Sequence, residues 1–267
     1  MNMKAFIFLF NLVIKCHRDE VLERAAGLTY RVLLAFFPFL LFLMSLMGFL
    51  NLNESAILEG LYYVLPHEVA NLVSSFVSEL SIARSHGIMT TAIFFSVYNS
   101  TNGFHAIIRY TNRAFGIQDR RSFIVQVGLS FVLMILFSLA LVIMLGVIVF
   151  GQYIWGYFFP NGSEMLFRLV SGTISFTILV LATSLIYKLA CAKTLTLKYI
   201  LPGATLTVLV WIIVTSLFGF VIVNFTQYPA IYGSFAGVFI LILWLNTISM
   251  ILLIGNEANS LLQYFQT

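Results

Sequence analysis

The sequence predicts an all-α integral membrane protein with six transmembrane helices, and three observations carry that prediction. Of its 267 residues, 61% are hydrophobic and only 9% charged, whereas a soluble domain carries about 25% charged residues. Six apolar segments, residues 25–50, 88–110, 122–150, 165–188, 197–224 and 230–254, are long enough to cross a hydrocarbon core of about 30 Å. Placing the amino terminus inside puts 12 of the 14 Lys and Arg residues in the cytoplasm, leaving Arg84 and Arg168 outside. Glu54, Glu59, Glu68, Glu79 and Glu164 lean the other way. That asymmetry satisfies the positive-inside rule and predicts that both termini are cytoplasmic. It also accounts for the net charge of +4 without a nucleic-acid partner.

The first element is a short amphipathic helix. Lys4 precedes an apolar run over residues 5–14, but ten residues cannot span a bilayer. No small-residue cleavage site follows, and Lys15 and Arg18 arrive at once. Residues 1–24 therefore read as an interfacial helix on the cytoplasmic face, and residues 25–267 as one membrane domain, since no charged or Ser/Pro-rich linker divides them. Cys16 and Cys191 match no metal-ligand spacing and read as reduced thiols.

Span one, 25–50, begins among charges: Glu20, Arg24, Gly27 and Arg31 share a helical face on which the acid and the arginines can pair. Pro38 removes a backbone donor inside it and predicts a bend or hinge. Residues 51–87 predict two short amphipathic helices on the outer surface. Asn53 caps the first and Pro66 opens the second, in which Val69, Leu72, Val73, Phe76 and Leu80 share a face. Such helices either cap a cavity or rest on lipid.

Span two, 88–110, carries the polar run of the chain. Asn99, Asn102, Ala106, Arg109 and Arg113 are spaced 3, 4, 3 and 4 apart, which places them on one helical stripe, with Tyr98 and His105 beside it. Polar groups in a bilayer face the protein interior or a water-filled cavity, so this stripe predicts the working interior. Span three, 122–150, is almost uniformly apolar, with Gly128 and Gly146 as close-packing points. An outer turn with an aromatic belt, from Gln152 to Gly162, leads to span four, 165–188. Its hydroxyls can bond their own backbone and are weak evidence of a pathway. Pro202 and Gly203 open span five, 197–224. Span six, 230–254, ends in Gly255-Asn256-Glu257-Ala258-Asn259. Gly233 and Gly237 suit close helix packing, within the chain or in a homo-oligomer. An inverted repeat of three spans each would suit a transporter, but no motif recurs between the halves: Pro38 has no counterpart in span four.

Glu257 ends span six near the basic groups of Arg31, Arg109 and Arg113, and a buried carboxylate there needs a partner, which predicts a pair with one of these arginines. The arginines left over form a vestibule suited to an anion or a phosphorylated headgroup. Arginines at cytoplasmic helix ends also fix topology and touch anionic lipid without further purpose. His105, one turn from Asn102 and from Arg109, is either a proton relay or a hydrogen-bonded packing residue.

Ala25-Ala26-Gly27-Leu28-Thr29-Tyr30 followed by Leu33-Leu34-Ala35-Phe36-Phe37-Pro38 resembles the first-span signature of the YihY/BrkB family. Tyr232-Gly233-Ser234-Phe235-Ala236-Gly237, through Leu243-Trp244-Leu245 to Gly255-Asn256-Glu257-Ala258-Asn259, is similar to that family's most specific motif. Arg31 and Asn246 depart from the pattern, where aromatic residues are common, and both add polarity. The resemblance implies a bacterial inner or plasma membrane protein, in a family whose members have been suggested to transport solutes or handle lipids, and some of which were labelled ribonuclease BN. Phosphodiester hydrolysis with two metals needs clustered Asp, Glu and His. Here two Asp and four separated His (His17, His67, His86 and His105) form no such cluster. There is no Walker motif either. The sequence thus predicts no catalytic residue, no metal and no cofactor.

The expected function is transport or binding of an anionic or amphipathic small molecule, with lipid as one class, through a polar interior built from spans one, two and six. Asn99, Asn102, His105, Arg109, Arg113, Arg31, Glu257 and Asn246 are its pathway candidates, with membrane lipids as partners. A non-transporting scaffold or envelope assembly factor is the alternative, its polar stripe serving only to lock helices together.

Overall fold

The computed structural model describes residues 3–49, 62, 65–82, 86–159, 163–225 and 236–264, and among these every regular element is a helix. They are α1 (Met3–Arg18), α2 (Val21–Phe49), α3 (His67–Ile82), α4 (His86–Ala114), α5 (Phe123–Phe158), α6 (Glu164–Ala190), α7 (Leu197–Phe225) and α8 (Ala236–Tyr264). Among the described residues, four segments are long and apolar enough to cross a membrane: Phe123–Ile148, Glu164–Ala190, Leu197–Val221 and Ala236–Tyr264. The other two expected spans fall on α2 and α4, each 29 residues and about 43 Å long at 1.5 Å per residue. The polar run of α4 keeps it out of the compositionally apolar set.

Two boundaries differ from the sequence reading. Residues 152–158 continue α5 as helix rather than forming a turn, because the helix tolerates Gly151 and Gly156 and meets no proline before Pro160. The sixth span, expected to stop at residue 254, runs to Tyr264 with Gly255 through Asn259 inside it and buried. Neighbouring helices bond Asn256 Nδ2 and Asn259 Oδ1 and α1 pairs with Glu257, so polarity does not end the helix, although Asn256 Oδ1 and Asn259 Nδ2 are buried without a partner among the described residues. The helix capped by Asn53, and Gly233, lie outside the described residues.

α2 and α4 pack antiparallel in the most extensive pairing of the bundle. Leu28, Phe104, Ile107, Leu133, Met134 and Ile186 join α2, α4, α5 and α6 in one core cluster. α3 lays its apolar stripe on the bundle rather than on lipid: Val69, Val73 and Val77 are buried against Leu40, Ile240, Leu241 and Trp244. Gly27 of α2 makes room for the Tyr110 side chain of α4, since a Cβ there would stand 2.9 Å from the Tyr110 hydroxyl. Gly128 and Gly146, expected as close-packing points, have no neighbour within 4 Å of an added Cβ. α1 turns back sharply into α2 at Glu20, a non-glycine residue with φ of 52°. Its Leu12 is buried with Ala258 and Leu261 of α8, while Phe6, Leu9, Phe10 and Val13 are exposed.

Candidate functional site

The run Gly255 to Asn259 turns through more than a full helical turn at 100° per residue, so its five positions point to every side of α8. Each meets a different neighbour. Gly255 packs on α6 and α7, where an added Cβ would collide with Thr207 and stand 2.7 Å from the Tyr187 hydroxyl. Asn256 donates from Nδ2 to Thr111 Oγ1 of α4 at 3.0 Å. Glu257 pairs with Lys15 of α1. Ala258 packs on Leu12, and Asn259 Oδ1 accepts the Gly203 N–H of α7 at 2.9 Å. Tyr187, fully buried on α6, donates to the Leu252 carbonyl at 2.8 Å and stands 3.0 Å from Thr207 Oγ1.

A second clamp holds the same end of the bundle. Asn112 of α4 donates to the Ala190 carbonyl at 3.0 Å and accepts from the Ala192 N–H at 2.6 Å, tying α4 to the end of α6. In the following loop Arg121 grips Asp119 with two bonds of 2.7 and 2.8 Å and donates to the Ala190 carbonyl at 2.7 Å. The Arg121 hydrogen bonds outweigh burial and hold the Asp119 carboxyl below the usual range. Burial lifts Asp19, but its hydrogen bonds and charge contacts with Lys15 and Arg18 prevail and bring it below the usual range too. Burial first, then the neighbouring Glu257 carboxylate, pushes the Cys16 thiol up to about 11.

The partner of Glu257 is Lys15, not Arg31, Arg109 or Arg113. Lys15 also donates to Asp19 at 3.0 Å and to the Ala114 carbonyl at 3.0 Å. The reason is placement: α1 folds over the end of α8, whereas Arg109 and Arg113 turn outward and are exposed. Glu20 lies 4.0 Å from Arg113, both exposed.

The described polar members of the predicted stripe of α4 face outward, while its Ala106 is buried in the core cluster. Tyr98, Asn102, Arg109 and Arg113 are exposed; Arg31 of α2 and His105 are half-buried on either flank, the His105 ring 6.5 Å from that of Phe123 on α5. The Asn99 side chain lies outside the described ones. Asn246 is exposed on α8, its Oδ1 3.1 Å from Thr29 Oγ1. Pro38 sits within α2, half-buried. Of these residues the structure brings Arg31, His105, Arg109 and Arg113 to one flank of the α2–α4 pair. Glu257 stands in the separate α8 network.

The opposite side of α4 presents Gly103, Phe104 and Ile107 to a partly open cavity of about 240 Å³ lined by residues of α2 to α8. Its walls are almost wholly hydrocarbon, and none of the predicted pathway residues whose side chains are described lines it. Among the described residues no three His, Cys, Asp or Glu side chains group as a metal site. Sequence reasoning singled out neither Lys15, Asn112, Tyr187 nor Asn259 as a polar partner. Their signal was faint, because each partner lies far away in the chain.

A family model described as virulence factor BrkB matches residues 13–267. The ribonuclease-like protein YfkH of Bacillus subtilis (strain 168) is 30% identical over 260 residues, covering 96% of this chain and 94% of that protein. A UPF0761 membrane protein of Acinetobacter baylyi is 23% identical over 98% of this chain but 63% of its own length. One from Psychrobacter is 24% identical over 98% of this chain and 49% of its own length, so the chain spans only part of those two relatives. No solved structure matches this chain.

Proposed function

The chain belongs to the BrkB family of membrane proteins, and from that premise we propose that it binds or transports an anionic or amphipathic small molecule, with lipid as the favoured class. The observation that carries this reading is the outward basic flank of α4. Asn102 and Arg109, with Arg31 and His105 beside them, lie within helices long enough to span a bilayer, at a surface an anionic headgroup can reach. Arginine supplies the forked donor set that phosphate and carboxylate accept best. The carbon-lined cavity offers an anion no donor, and burying an unpaired charge there is costly, so the path proposed for charge runs along this flank and not through the centre. In this reading α2 and α4 to α8 are the six spans, both termini are cytoplasmic, and the membrane is the bacterial plasma membrane. The clustering of Lys15, Arg113 and Arg121 at one end of the bundle supports that orientation. No catalytic role is assigned; the ribonuclease-like name belongs to the Bacillus relative.

The alternative of a non-transporting scaffold draws support from the dense polar network at the end of α8, which fastens helices without needing a ligand. Two experiments separate the readings. In a background lacking Cys16 and Cys191, Asn102→Cys should react with a membrane-impermeant maleimide; complete protection from both sides favours the scaffold. Native mass spectrometry of protein released gently from its membrane should show a bound anionic lipid or metabolite that Arg109→Ala loses. Equal retention of bulk lipid by both proteins would remove the binding proposal.

A further inference from the structure

We infer that the central cavity is a binding site for a linear hydrocarbon chain, of a membrane phospholipid or of a free fatty acid. It lies on the opposite face of α4 from the basic flank, so this goes beyond the reading above and stands or falls separately.

The chemistry of the walls selects an apolar ligand. The lining combines α2, α4, α5, α6, α7 and α8, with Leu65, Val73 and Val77 closing it at the α3 end. Among the described residues that line it, Thr183, Thr207 and Ser249 bring the only side-chain oxygens, and the Thr207 hydroxyl is already spent on the Gly203 carbonyl at 2.8 Å. Water placed there would lack the two to four polar partners that hold buried water, and apolar cavities of this kind stay dry.

Shape narrows the choice further. Along α2 the lining positions run from Leu28 to Leu40, about 18 Å at 1.5 Å per residue. A volume of about 240 Å³ spread over that length is a slot rather than a sphere. A cavity of about 150 Å³ accepts benzene, so by proportion this one holds roughly ten carbons. A stretch of chain can lie along such a slot and fill its volume, whereas a fused ring system of that volume would be too compact for it.

The slot is also braced against collapse. Phe137 of α5 bridges Phe39 of α2 and Phe104 of α4, with ring centroids 6.0 and 5.9 Å away. Trp244, buried on α8, is tethered through Nε1 to Thr215 Oγ1 at 3.4 Å. Rigid aromatic walls cannot close on the void, and an unfilled slot forgoes the dispersion contact its lining could make. Hydrocarbon chain is the one ligand of this chemistry that a bilayer supplies in abundance.

The test uses the tryptophans. The chain has three, of which Trp211 and Trp244 line the slot and Trp155 does not. Trp155→Phe protein in phosphatidylcholine nanodiscs is titrated with dibromostearic acid, and in a second arm with brominated phosphatidylcholine. Quenching is expected to saturate at one chain per protein. Saturation with only the acid identifies a free fatty acid; saturation with only the phospholipid identifies a bilayer lipid; either supports the site. Ala35→Leu, which fills the slot, should weaken the saturable phase about tenfold or more, equivalent to about 1.4 kcal/mol. Leu145→Ala, which enlarges the slot, should keep it, so a folding defect in the first variant leaves the site testable. Arg109→Ala should leave the curve unchanged. Quenching that rises in proportion to probe without saturating, or an Ala35→Leu curve that overlays its parent, overturns the proposal while leaving the basic flank untouched.

Discussion

A methyl group has no room at two glycines near the end of α8. A Cβ on Gly203 would strike the Asn259 side chain, and one on Gly255 would strike Thr207, with the Gly203 carbonyl 3.2 Å away. Asn259 cannot simply swing aside, because it is buried and its Oδ1 holds the Gly203 N–H. Gly203→Ala and Gly255→Ala should each destabilise the protein by about 1–3 kcal/mol, read as a lowered melting midpoint in detergent. Gly128→Ala, with open space around it, should be neutral or raise the midpoint, since alanine is the better helix former by about 0.5–1 kcal/mol. An equal loss at all three positions would refute the packing argument. The pair of Lys15 and Glu257 makes a second residue-scale test. Glu257→Gln should cost about 1–3 kcal/mol, as should Lys15→Met, and the double variant should cost less than the sum because each single change strands the other group. Strict additivity would mean that the pair contributes nothing.

At the scale of elements, α1 is two-sided. Leu12 is buried against α8 while its neighbour Val13 is 67% exposed, so the two positions should answer differently to the same change. Leu12→Ala is expected to cost about 2–4 kcal/mol, and Val13→Ala less than about 0.5 kcal/mol, compared by unfolding in identical micelles. A helix merely floating on the leaflet would give the same small effect at both. The sequence made α1 to α8 legible as helices, because apolar run length and amphipathic period are local properties of a chain. The stripe of α4 was legible as a stripe too. Which way it turned was not, since that depends on Gly27 admitting Tyr110 and on Phe104 and Ile107 finding the core. The Glu257 partner was misread for a related reason: Lys15 lies 242 residues away, and nothing in either local pattern announces the other.

Across the whole molecule, the lowered carboxyls sit at one end. Asp19 and Asp119 are both held below the usual range, so each adds stability that is complete above its unfolded value of about 3.9 and is lost as pH falls through the lower folded value. The melting midpoint should thus be level from about pH 7 to about pH 5 and fall below about pH 4. Asp119→Asn should start lower at neutral pH and lose less on acidification; an undiminished acid response would show that the Arg121 clamp is not its source. That same end gathers Lys15, Thr111, Tyr187 and Gly203 around α8. In chain order α8 follows every helix it fastens. During synthesis, the groups that will meet Asn256, Glu257 and Asn259 must wait in the membrane without them. The earlier helices are therefore a loose, provisional assembly until α8 is delivered, and a chain halted before Ala236 should be open to proteolytic clearance rather than persist as a smaller stable bundle.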